Sequence, residues 1–374
     1  MKDKVKNIII SLSFFAVLVG FMLASIIIPD KDISYSERRK LNQLPEFSWE
    51  VLVSGNKDGE RYFDLLEDYF LDQFAMRDEF RTINSATRRY AFMQKDVDGI
   101  YVIKNKIFKM DYKLNEKAIE RSADVYLKVI NKYFKDNGAN IYYTVVPDKN
   151  YYSAAQNGYL ALDYEKLYSI MDEKLNDYSF IDVRDLLSED DYYNTDLHWD
   201  QSKIIDVANR FLSSMGGKGN ISIDDYVKKE YYPFHGSYYG QAALPIKSDT
   251  ITYLTNSVLD NCKVFDYEKK DYVPLYAEEK LGGVDTYDVF LWGARAALRI
   301  ENPDCKNGKE LVIFRDSFGS SLAPLLVSEY STVTILDLRY ISSDYIGHFV
   351  EFSDNCDVLF MYNPLVLNSF GAIS

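Results

Sequence analysis

The stretch LVIFRDSFGSSLAPLLVSEYSTVTIL, residues 311–336, decides the fold. Leu311 to Phe314 is a short apolar run of the kind a strand shows when both its faces are covered. Phe314-Arg315-Asp316-Ser317-Phe318-Gly319 turns the chain, Ser320 to Glu329 has helical spacing, and Val333 to Leu336 is a second apolar run. A helix set between two such strands reads as a crossover between parallel neighbours.

The same rhythm extends in both directions. Asn115 to Asp136 reads as an amphipathic helix with Gly138 behind it, Ile141 to Val146 as a strand stopped by Pro147, and Asp163 to Leu175 as a helix. Phe180 to Val183 reads as a strand and Trp199 to Met215 as a helix closed by Gly216-Gly217. On the C-terminal side, Ser343 to Phe352 is expected as a helix and Val358 to Met361 as a strand. The expectation is an α/β fold with a parallel sheet and helices on both faces. Residues 218–305 break the rhythm; they are Tyr-rich and turn-rich, with possible strands at Ile251–Leu254 and Lys263–Tyr267, and read as an insertion packed beside the sheet.

Nearer the N-terminus, Glu60 to Phe74 and Arg77 to Phe92 read as helices, and Ile100 to Phe108 as a hairpin turning at Lys104-Asn105-Lys106. Pro29 to Glu60 is polar and without periodicity, as a stalk would be. Ile8 to Ile28 carries no charge and, at about 1.5 Å per residue, is long enough to cross a bilayer core of roughly 30 Å. Lys2, Lys4 and Lys6 precede it, which places the N-terminus in the cytoplasm and the rest of the chain outside. A cleaved signal peptide is the rival reading. The run exceeds a usual signal core and no A-x-A site follows it, so an uncleaved single-span anchor is expected. The division that results is 1–30 tip and anchor, 31–98 stalk and N-terminal helices, and 99–374 catalytic domain carrying the 218–305 insertion.

Composition narrows the chemistry. The chain has 374 residues, and 43 Lys+Arg against 57 Asp+Glu give a net charge of −14, a poor balance for nucleic-acid phosphates. Three scattered histidines and three scattered cysteines form no dense metal-ligand set and no disulfide framework, so no metal and no cofactor are expected. With 47% hydrophobic and 27% charged residues the chain should fold.

Two motifs stand at strand ends, where open α/β sheets build their sites. One is Asn194-Thr195-Asp196-Leu197-His198-Trp199; the other is the Arg315-Asp316-Ser317 turn. A serine at a strand-to-helix turn exposes its Oγ and aims its N–H at a developing oxyanion. It needs a base, and a histidine base needs an acid to hold its tautomer. Ser317, His198 and Asp196 therefore form a candidate triad. Each motif also has a structural reading: a Ser after a strand commonly caps a helix, and D-x-H commonly makes a solvated turn. Asp316 reads as a turn or cap residue, Ser320 and Ser321 are rival nucleophiles, and His235 and His348 are rival bases.

TDLHW and RDSFG, followed by Leu336-Asp337-Leu338-Arg339-Tyr340, resemble the DHHW family of SGNH-hydrolase-like proteins, which is related to the alginate O-acetylation enzymes. LNQLPEFSW, EDYFLDQFAMR and GSYYGQAALPIKSDTI extend the resemblance over nearly all of the chain beyond the apolar run. Leu197 stands where the family tetrad has its first histidine; the base of the related acetyltransferases corresponds to His198. The resemblance implies a three-layer α/β/α, SGNH-hydrolase-like (flavodoxin-like) fold and serine-dependent acetyl transfer to an extracytoplasmic polysaccharide. A membrane-bound O-acyltransferase is the implied acetyl donor, since acetyl-CoA is not expected outside the cell. Arg339, Tyr340, Tyr193 and Trp199 are candidate substrate or oxyanion contacts. The Tyr surplus suits sugar faces as well as ordinary packing. A deacetylating esterase with the same triad, and a noncatalytic glycan-binding or assembly protein, are the alternatives.

Overall fold

In the computed structural model, which describes residues 2–57 and 59–374, every residue of Glu310–Arg315 is buried. Its side chains alternate between two cores. Leu311 and Ile313 join one apolar cluster, and Val312 and Phe314 join the other. A strand buried on both faces must stand in the middle of a layered fold.

The sheet has eight strands. In chain order they are β1 (Asn140–Val145), β2 (Ser179–Phe180), β3 (Lys263–Asp266), β4 (Asp271–Val273), β5 (Ala297–Glu301), β6 (Glu310–Arg315), β7 (Thr332–Leu336) and β8 (Asp357–Tyr362). Their spatial order is β4-β3-β5-β7-β6-β8-β1-β2. The pairs from β7 through β2 are parallel, and β5, β3 and β4 continue the other edge antiparallel. The expected three-layer class is thus present, with one correction. Residues 263–301 do not merely pack beside the sheet; they supply three of its strands. Antiparallel strands need no helical crossover, which is why the α/β rhythm fades there.

Helices cover both faces. Glu116–Tyr133 and Tyr164–Lys174 put Ile119, Val129 and Leu167 into the cluster that holds Phe314 and Phe360. Ile205–Ser214 and Ser317–Leu326 put Phe211, Leu212 and Leu322 into the cluster that holds Ile313 and Leu359.

Two other expectations change. Ser343 to Phe352 is no helix but a single turn, Ile346–His348. The i, i+4 burial of Ile346 and Val350 imitates helical periodicity, while Ser343 is pinned by its N–H to the Ser374 carbonyl at 2.7 Å and by Tyr133 Oη on its carbonyl at 2.8 Å. The helix expected from Trp199 begins at Ile205, because Trp199 bridges back to Tyr192 and Asp200 caps the short turn Gln201–Lys203.

The chain divides into two compact units, Met1–Val97 with Gly240–Pro245, and Asp98–Tyr239 with Ile246–Ser374. Met1 and Asp58, which fall in the expected tip and stalk, lie outside the described residues. The first unit holds α1 (Lys2–Ile27), α2 (Tyr62–Asp72) and α3 (Arg77–Ala86). Its segment Lys4–Ile27 is long and apolar enough to cross a membrane. The stretch expected as a plain stalk contains a small hairpin, Ile33–Ser34 with Arg39–Lys40, and a helix, Trp49–Ser54. Ion pairs rather than apolar periodicity hold it. Arg39 donates to both carboxylate oxygens of Asp72, and that hydrogen bonding brings the Asp72 pKa down to about 2.

Candidate active site

Strand β6 ends at Arg315, and the helix Ser317–Leu326 starts at once. Asp316 is the residue that caps it: its Oδ1 accepts from the Phe318 N–H at 3.0 Å and its Oδ2 from the Asn363 N–H at 2.7 Å. Burial raises the pKa of its carboxyl. With the cap supplied by Asp316, Ser317 occupies the first helical position and its side chain is not spent on capping. Gly319 makes the sharp turn possible, because a Cβ there would lie 2.6 Å from that of Arg315.

The second motif sits on a short loop closed by the Tyr192–Trp199 bridge and by the Tyr193 N–H on the His198 carbonyl at 3.1 Å. Ser317 Oγ stands 2.7 Å from His198 Nε2, and His198 Nδ1 stands 2.5 Å from Asp196 Oδ1. The same Asp196 oxygen accepts the His198 N–H at 2.9 Å, and its Oδ2 accepts the Ser237 N–H at 2.6 Å. Asp196 is fully buried, His198 is buried and Ser317 is half-buried. With Nδ1–H donating to the carboxylate, Nε2 is left to accept the serine proton.

Other groups fix this arrangement. The Tyr287 ring stacks on the imidazole with centroids 3.8 Å apart and planes 8° from parallel, and Phe318 leans on it at 5.0 Å. Tyr287 Oη donates to Ser321 Oγ at 2.9 Å, which also receives the Trp199 indole N–H at 2.8 Å. Ser321, a rival serine, is thus buried and engaged by two donors. Asp249 accepts from the N–H groups of Asn194 and Thr195, and from the side chains of both. Gly236 lies so close to the loop that a Cβ would be 2.4 Å from the Asp196 Cβ. Lys149 Nζ donates to the carbonyls of Asp196 at 2.6 Å and Tyr193 at 3.2 Å, and burial brings its pKa down to about 7.

The remaining sequence candidates fall elsewhere. Trp199 is fully buried, and Tyr193 is buried with its ring edge-on to Phe234, so both pack behind the loop. The Arg339 guanidinium is closed on Asp337, with Nη2 2.7 Å from Oδ2, and lies 5.3 Å from the ring of the exposed Tyr340. The His235 ring stacks on Tyr239, and burial lowers its pKa. His348 stands edge-on to Tyr345. Leu197 is half-buried against the apolar core. Tyr192, Tyr193 and Tyr238 are buried, so much of the tyrosine surplus fills the interior. Among the described residues, no group of His, Cys, Asp and Glu could hold a metal ion.

Lys149, Asp249, Tyr287 and Gly236 were not marked as site residues by the sequence. Lys149 had one signal, its place just after a strand end in Pro147-Asp148-Lys149; the others are distant in the chain and meet the loop only on folding.

The model of the family described as DHHW protein matches residues 148–336. Among solved structures, a DHHW family protein from Eubacterium siraeum is similar with a TM-score of 0.60 and 20% identity, covering 74% of this chain and 94% of that one. Bacillus cereus PatB1, solved with a sulfonyl adduct, is similar with a TM-score of 0.57 and 18% identity, covering 73% of this chain and 96% of that one. At such identities the likeness is one of fold. No curated protein matches the sequence significantly.

Proposed function

The chain belongs to the DHHW family, and from that premise we propose that it is a membrane-anchored, extracytoplasmic serine acyltransferase that O-acetylates a cell-surface or secreted polysaccharide. The observation that carries this reading is the hydrogen-bonded line Asp196–His198–Ser317, with Nε2 2.7 Å from Oγ.

In the first half-reaction Ser317 Oγ attacks the donor's acetyl carbonyl while His198 Nε2 takes its proton. The oxygen that becomes anionic is met by the Ser317 N–H at the positive end of its helix. The C–O bond to the donor breaks, and the His198 proton goes to the departing alcohol. In the second half-reaction a sugar hydroxyl attacks the acetyl-serine, gives its proton to His198, and Ser317 leaves with that proton restored. Asp196 stabilises the imidazolium in both halves. Residues 8–28 serve as the anchor, 31–98 as the stalk and N-terminal helices, and 99–374 as the catalytic domain. A membrane-bound O-acyltransferase is the assigned source of acetyl groups.

The test is incubation with p-nitrophenyl acetate with and without an oligosaccharide acceptor. Acetylated sugar formed beside released phenol supports transfer. Acetate alone, at a rate the sugar does not change, identifies a hydrolytic esterase instead.

A further inference from the structure

Helix α1 is exposed along nearly its whole length, but one face near its C-terminal end is partly covered, at Phe21, Ala24 and Ser25. The Phe21 ring stacks on Phe74 at 5.6 Å and meets Phe80 edge-on at 5.4 Å. Ser25 Oγ accepts the Ala75 N–H at 3.2 Å. Phe21 lies six residues before Ile27, the end of α1, so it is about 9 Å inside the apolar segment. Rings that touch it share its depth.

Polar contacts fix the other boundary. Gln73 Oε1 accepts the Lys31 N–H at 3.0 Å, and Tyr69 Oη lies 3.1 Å from the Asp30 carboxylate, where the chain has turned polar. The elbow between α2 and α3 therefore starts level with the polar exit of α1 and reaches back along its apolar length. Four of its exposed residues are large and apolar: Phe70 is 56% exposed, Leu71 61%, Met76 55% and Ile83 59%. Such a patch is costly in water. An interfacial helix buries its apolar face ~5–10 Å into the boundary of headgroups and acyl chains, which is the depth Phe21 sets.

We propose that the elbow of α2 and α3 is seated in the outer leaflet beside α1, with Phe70, Leu71, Met76 and Ile83 facing acyl chains. The inference rests on the anchor reading above. The occupant is lipid rather than a partner's helix, because the patch is continuous with the membrane-crossing segment itself. Two of the charged groups next to it are paired inward, Arg77 with Glu37 at 2.6 Å and Arg39 with Asp72, and the exposed Asp78 and Glu79 are left for the headgroup side. The elbow would hold the chain close to the surface where a membrane-bound acetyl donor works.

The experiment uses the full-length protein in phosphatidylcholine vesicles with its C-terminal part facing the external buffer. Leu71→Trp and Ile83→Trp, at exposed positions that need no repacking, each add a fluorophore; Leu12→Trp in α1 is the control. The added emission of both elbow probes should be lost to brominated acyl chains and insensitive to external iodide. Quenching by iodide alone, or by neither agent, overturns the inference while a lipid-quenched Leu12→Trp leaves the anchor intact. A Leu12→Trp probe that escapes the brominated chains overturns the anchor reading and this inference with it.

Discussion

His198 and Ser317 are 119 residues apart in the chain, yet Nε2 and Oγ stand 2.7 Å apart. One sits on a loop closed by a two-residue bridge, the other on the first turn of a helix that leaves a buried strand. Each element has its own reasons to form, so the contact depends on the sheet that sets them side by side.

Removing either partner should abolish most turnover; Ser317→Ala should cost little stability, whereas His198→Ala leaves the buried Asp196 carboxylate without its imidazole and should cost about 1–3 kcal/mol. Ser317→Ala and His198→Ala are each expected to lower kcat/KM for an acetyl ester by about 10²–10⁴-fold. The double variant should fall no further, since the two act as one unit. Ester kinetics on the three variants, beside their thermal midpoints, check this.

Gly236→Ala should damage the site more than the fold. The added Cβ would meet the Asp196 Cβ and the Thr195 carbonyl oxygen, both at 2.4 Å, and neither is the end of a flexible side chain. Relief requires the 192–199 loop or the 234–239 segment to move, which breaks the line from Asp196 to Ser317. The expected result is a loss of at least about 10-fold in kcat/KM, as misplacement of catalytic groups produces. Circular dichroism should still report a folded chain.

Lys149 gives a pH signature. Burial holds its pKa at about 7 in the folded chain, against about 10.4 when unfolded. Between those values the unfolded state binds more protons, so this group's contribution is fully present above the unfolded pKa and is lost as pH falls through the folded one. Wild type should therefore gain stability relative to Lys149→Met as pH rises from about 7 toward 10. Urea midpoints of both proteins across that range read the difference; parallel curves would contradict the assignment. The variant also loses the donor to the Asp196 and Tyr193 carbonyls, so its ester turnover should fall as well.

Tyr287 separates ring from hydroxyl. Tyr287→Phe keeps the stack on His198 and loses only the bond to Ser321, which still receives the Trp199 indole, so a cost of about 0.5–1.5 kcal/mol is expected with turnover nearly intact. Tyr287→Leu removes the flat surface that holds the imidazole and should lower kcat. Equal kcat in the two variants would show that the stack does not position the ring.

The fold was legible where local signals agree with the tertiary outcome. The 311–336 stretch announces its strands and helix because burial on both faces demands unbroken apolar runs. The antiparallel edge was legible only in part: β3 reads as a possible strand at Lys263–Tyr267, but not as part of the sheet, and β4 and β5 are short, carry exposed residues and lie among turns. The helix expected at 343–352 failed because two buried residues at helical spacing can equally be held by a loop. For the site, Asp196, His198 and Ser317 could be named because chemistry restricts which residue types can stand together at strand ends. Lys149, Asp249, Gly236 and Tyr287 act through backbone contacts, close approach and ring stacking, which leave no spacing to read. Trp199 and Tyr193 lie beside the motif in sequence but point into the core, a direction that only the fold sets.

The most direct test of the account is the covalent intermediate. Full-length protein mixed with p-nitrophenyl acetate, quenched in acid within one turnover and digested, should carry an acetyl group on the peptide that contains Ser317. The group should vanish when an oligosaccharide acceptor is added before the quench, and it should be absent from His198→Ala. Acetyl found on another residue, or ester turnover that persists unchanged in Ser317→Ala, would contradict the account.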